Sequence, residues 1–63
     1  MTLFINNEPA IIGKTYPDFR GEPLTLTGMT PPHKPSSTGR VYVTAQFGTK
    51  GEYFPSVIGG EWR

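Results

Sequence analysis

Apolar and polar positions alternate with period two in two stretches of this chain and gather into short runs elsewhere. Leu24-Thr25-Leu26-Thr27 sets leucine on one face and threonine on the other, the pattern of a half-buried strand that Gly28 is expected to end. Arg40 to Phe47 carries the alternation further, predicting Val41, Val43, Ala45 and Phe47 inside and Arg40, Tyr42, Thr44 and Gln46 outside. Near the start, Leu3-Phe4-Ile5 is apolar, and Asn6-Asn7-Glu8-Pro9 favours a reversal into Ala10-Ile11-Ile12, which predicts an N-terminal hairpin. Gly48-Thr49-Lys50-Gly51 predicts a turn into a strand over Glu52-Tyr53-Phe54. Pro55 to Gly60 then interrupts the ladder, with one 3₁₀ turn near 55–58, before a last short strand around Glu61-Trp62-Arg63.

Two segments read as connections. Tyr16 to Pro23 holds two prolines and one glycine and is expected to be an ordered, irregular loop, while Met29 to Thr38 holds three prolines and is the most loop-like stretch. Eight glycines and seven prolines spread through the chain leave no room for a long helix. The expectation is an all-β fold of five to six short antiparallel strands, with residues 1–63 forming a single domain. A small barrel or a pair of orthogonally packed sheets suits so few strands, because closure removes open edges.

Composition narrows the function classes. A chain of 63 residues must offset about 100 kcal/mol of conformational entropy, so its aromatic residues are needed for burial, and Phe54 and Trp62 are expected in the core. Without cysteine there is no disulfide, no thiolate nucleophile and no sulfur-rich zinc site, which points to a reducing, cytoplasmic setting and makes self-association a candidate source of stability. The start has no basic n-region and only three consecutive apolar residues, too few for a signal peptide or a membrane span. A chain this short, opening on a hairpin directly after Met1, is expected of a small phage, plasmid or bacterial accessory protein. Six basic against five acidic residues give a net charge of +1, so no whole-molecule field draws the protein to nucleic acid or lipid.

Particular residues add a resemblance. Tyr16-Pro17-Asp18-Phe19, followed by Glu22 and Leu24, resembles the Ala-Leu-Tyr-Asp-Phe opening and acidic loop of SH3 domains. Gly51 and then Tyr53-Phe54-Pro55-Ser56 is similar to that family's Gly-Tyr-Ile-Pro-Ser-Asn-Tyr-Val close, where a hydrophobic-Pro-Ser step opens a 3₁₀ turn. The resemblance covers Tyr16 to Trp62 and implies an SH3-like barrel topology. Pro17 interrupts the opening motif, Ile58 stands where the family has a groove tyrosine, and no tryptophan precedes the Arg40 to Phe47 strand. Those are positions of the proline-peptide groove, so polyproline binding is not what the resemblance implies here.

Catalytic and metal chemistry find little support. His33 is the single histidine, and Pro31-Pro32-His33-Lys34-Pro35 supplies neither an orienting partner nor a second ligand, so it reads as an exposed loop side chain. Asp18 and Glu22 lie four apart with Arg20 between them, and capping or pairing explains them better than catalysis. Gly59-Gly60 and Gly48-x-x-Gly51 lack the spacing of phosphate loops. Pro32-His33-Lys34-Pro35 could serve as an extended Pro-x-x-Pro ligand, though such runs are common in plain loops. The remaining set is aromatic and basic. Phe19, Arg20, Arg40, Tyr42 and Tyr53 are expected to form a partner-binding surface of a non-enzymatic module without cofactor or metal. A protein partner is the first expectation. Nucleic acid is the alternative, with Arg20, Lys34, Arg40, Lys50 and Arg63 around the same aromatics. A homodimer through the N-terminal hairpin or the last strand is a further expectation.

Overall fold

Asn6 and Asn7 both take positive φ, 54° and 65°, as the centre of a two-residue turn between twisted antiparallel strands requires. That turn joins β1 (Leu3–Ile5) to β2 (Glu8–Pro9), with Ile5 opposite Glu8. The hairpin expected from the sequence is there, but its second strand is Glu8–Pro9 rather than Ala10 to Ile12. The Ala10 N–H still donates to the Leu3 carbonyl at 2.9 Å, but the Ile11 N–H leaves the ladder for the Tyr16 hydroxyl, and Ile11 and Ile12 emerge about half exposed. The computed structural model describes residues 1–34 and 37–63; Pro35, the last residue of the Pro-x-x-Pro run, lies outside them.

The second sheet is built around β4 (Pro23–Thr30), which pairs with β3 (Thr15–Pro17) on one side and β5 (Arg40–Ala45) on the other. Tyr16 and Pro17 therefore belong to a strand, and only the Asp18–Glu22 reversal remains of the expected irregular loop. Gly28 does not end the Leu24–Thr27 strand. A shift of register between Leu26 and Gly28 absorbs Thr27 as a bulge, and pairing resumes with Gly28 opposite Tyr42. The β5–β6 hairpin closes on Gly48 (φ 88°), where the Ala45 N–H donates to the Thr49 carbonyl at 2.7 Å. A three-residue loop with glycine in the left-handed position is a favoured hairpin connection. It starts β6 at Lys50 (Lys50–Tyr53) and puts Phe47 at the loop tip, 90% exposed instead of in the core.

Pro55–Ile58 forms the expected 3₁₀ turn and leads to β7 (Gly60–Trp62), which pairs with β1. Among the described residues there are thus seven strands in two antiparallel sheets, ordered β2-β1-β7 and β3-β4-β5-β6. This corrects the expected barrel of five to six strands, because the hydrogen-bonded ladders do not close on one another. Pro9 on β2 and Pro17 on β3 lack the donors that would continue pairing at those margins. The sheets share one apolar core of Leu3, Ile5, Tyr16, Leu24, Leu26, Val41, Val43 and Ile58. Trp62 packs against it and donates its indole N–H to the Thr38 carbonyl at 2.7 Å, which ties Thr38 to β7.

Candidate functional site

Register decides which side chains share the outer face of the larger sheet. Val41 and Val43 point into the core, so their neighbours Arg40, Tyr42 and Thr44 point outward. Opposite them on β6, Tyr42 faces Glu52 and Thr44 faces Lys50. On β4, Tyr42 faces Gly28 and Arg40 faces Thr30. One step beyond the last β5–β6 rung, Phe54 lies alongside Arg40.

These contacts hold the side chains in place. The Tyr42 ring lies over Gly28, where a Cβ would come within 3.5 Å of its Cδ2, and the Tyr42 hydroxyl hydrogen-bonds that of Thr30 at 2.9 Å. Arg40 is held from two directions: its Nε is 3.3 Å from a Glu52 carboxylate oxygen, and its guanidinium sits 4.5 Å from the centre of the Phe54 ring. Beside them runs an open groove of about 430 Å³ floored by β5 and β6 and edged by Thr27, Tyr42, Thr44, Lys50 and Glu52. The result is an aromatic, cationic and hydroxylic strip on the outer face of the four-stranded sheet. Such a surface can stack on a planar group and offer a guanidinium to a carboxylate or carbonyl.

The five residues expected to form one surface occupy three places. Arg40 and Tyr42 are adjacent on the strip. Tyr53 is opposite Val41 in register, so it lies on the core side of β6, beyond the covered core, and is 43% exposed. Phe19 and Arg20 sit at the Asp18–Glu22 reversal, and Phe19 borders a separate groove with Pro17, Ser56 and Ile58. There the guanidinium of Arg20 lies 5.5 Å from the Phe19 ring centre and within 3.8 Å of carboxylates on Asp18 and Glu22. Asp18 has a structural task, since its Oδ1 accepts the N–H groups of Arg20 and Glu22 at 2.7 and 2.9 Å.

Phe54, expected in the core, is 54% exposed and belongs to the strip. The signal for it was present: centring the turn on Gly48 instead of Gly48–Gly51 places Phe54 beside Arg40. His33 is exposed, and among the described residues no group of three or more His, Asp or Glu side chains is placed to hold a metal ion. No described helix is long and apolar enough to cross a membrane. No family model, curated protein or solved structure matches the chain.

Proposed function

We propose that this chain is a non-enzymatic binding module, SH3-like in its arrangement of sheets, that engages a protein partner through the strip of Arg40, Tyr42 and Phe54. The element order from Asp18 to Trp62 supports the SH3-like reading: a short loop, β4, a long connection, β5, a tight turn, β6, a 3₁₀ turn and β7, with the added strand β3 before it. The observation that carries the functional reading is the preorganisation of the strip. Aromatic and arginine side chains dominate the energetics of protein interfaces, and a side chain already fixed in the free protein loses less entropy on binding. Tyr42 and Arg40 are both fixed, by Thr30 and Gly28 and by Glu52 and Phe54. Their setting is cysteine-free, which suits a cytoplasmic partner.

Charge pairing at the arginines weighs against a phosphate backbone. Each of the three arginines is engaged by carboxylate: Arg20 by Asp18 and Glu22, Arg40 by Glu52, and Arg63 by Glu61. A phosphate backbone would have to compete with those carboxylates for every guanidinium. The test is affinity capture with the wild-type chain and an Arg40→Ala/Tyr42→Ala variant. A partner retained by the wild type and by Phe19→Ala, and lost from the double variant, is the expected outcome; equal recovery on all three refutes the assignment. Oligonucleotide titration at low salt should show no shift, and a shift that weakens steeply with salt replaces the protein reading with nucleic acid.

A further inference from the structure

The outer strands of the two sheets are not equally protected against pairing with another chain. Pro9 interrupts β2, Pro17 interrupts β3, and β7 is a very short edge of three residues whose Trp62 indole reaches the Thr38 carbonyl. β6 carries neither proline nor bulge, and among the described residues nothing pairs with its free side. Its backbone orientation follows from the hairpin. The Ala45 N–H to Thr49 carbonyl bond makes that rung inward-facing, and alternation then turns Gly51 and Tyr53 toward β5. The N–H and C=O groups of Lys50 and Glu52 are left pointing away from the sheet.

We propose that β6 pairs antiparallel with β6 of a second copy of this chain, with a two-fold axis through Gly51. Alternation restricts the axis to a residue, since an axis between residues would set outward groups against inward ones. An axis on Lys50 or on Glu52 would oppose like charges. An axis on Gly51 sets Lys50 of each copy opposite Glu52 of the other, so each such rung exchanges two backbone hydrogen bonds and one ion pair. A lone edge lysine guards against pairing; a lysine and a glutamate flanking one glycine are self-complementary. One oxygen of Glu52 is engaged by Arg40, and the other is available to the second copy's lysine.

The opposite face agrees. Tyr53 folds over its own Gly51, where a Cβ would come within 2.7 Å of Cε2. At a non-hydrogen-bonded rung the two Gly51 backbones approach to about 4.5 Å, and the Tyr53 rings lying on them meet across the axis. Tyr53, 43% exposed in a single copy, lies at the seam of the pair.

Analytical ultracentrifugation from the micromolar to the millimolar range tests this together with amide exchange. Self-association is expected, with Lys50→Glu or Glu52→Lys weakening it about tenfold and the Lys50→Glu/Glu52→Lys double variant restoring it. Amide exchange at Lys50 and Glu52 should slow as concentration rises, while Gly51 and Tyr53, already bonded to β5, do not change. A monomer at every concentration overturns the proposal. So does a dimer in which the Lys50 and Glu52 amides exchange at the monomer rate, or a double variant as weak as the single ones.

Discussion

Gly39 sits against the Thr30 backbone and the Trp62 indole just before β5, and replacing it with alanine probes that contact directly. Its φ is 69°, and a Cβ there would fall 2.5 Å from the Thr30 carbonyl oxygen and 3.0 Å from the Trp62 ring. The left-handed conformation costs a residue with a Cβ about 1 kcal/mol. Forcing a methyl group against backbone and a packed indole adds about 1–3 kcal/mol. The expected loss of about 2–4 kcal/mol is large for a domain of this length, whose total stability is on the order of 3–9 kcal/mol. Gly48→Ala is the matched control: its φ is 88°, yet nothing lies within 4 Å of the added Cβ, so it should lose the conformational part alone. Urea and thermal unfolding of the two variants separate steric from conformational cost, and Gly39→Ala should melt roughly 5–20 °C below Gly48→Ala. Failure of Gly39→Ala to fold at 25 °C is the upper end of that expectation. Equal losses, within about 0.5 kcal/mol, would refute the close approach of Gly39 to Thr30 and Trp62.

Three further outcomes follow from burial and hydrogen bonding. Leu26 is 0% exposed, so Leu26→Ala should cost about 2–5 kcal/mol in urea unfolding, and a loss under about 1 kcal/mol would remove it from the core. Phe47→Ser should change stability by no more than about 0.5 kcal/mol, because the ring is 90% exposed at a hairpin tip; a larger loss would return it to the interior. Tyr16→Phe removes the acceptor of the Ile11 N–H, 2.9 Å away, and should cost about 0.5–1.5 kcal/mol with faster amide exchange at Ile11. Unchanged exchange there would show that this bond does not hold the 10–14 segment.

Much of the fold was legible where one residue type has one cheap use. Alternation over Leu24–Thr27 and Arg40–Ala45 assigned the inward residues Leu24, Leu26, Val41 and Val43, all of them core. The turn at Asn6-Asn7 and the 3₁₀ turn at Pro55–Ile58 fell where their residues pointed. The misplaced residues sit at element ends. Thr27 could end a strand or become a bulge, and the choice depended on whether β5 offered partners beyond Tyr42. Phe47 continued an alternating pattern, but the hairpin had to turn at Gly48, and the pattern ended with the strand.

The candidate site divides in the same way. Chemistry was readable from residue types: no thiol, a single histidine, and aromatic and basic side chains left over. Convergence was not. Arg40 and Tyr42 are neighbours because period-two alternation on one strand is local, so the sequence alone sufficed for that pair. Tyr53 and Phe54 exchanged roles because their faces depend on the hairpin register, and a one-residue change in where the turn closes moves every side chain of β6 to the opposite face. The separation of Phe19 and Arg20 from the strip, and the exposure of β6 beside the guarded edges of β2 and β3, depend on how two sheets share a core. Composition and local pattern carry no term for such long-range pairing. The sequence determined the all-β class and the alternating strands; only the tertiary structure decided which aromatics face outward together.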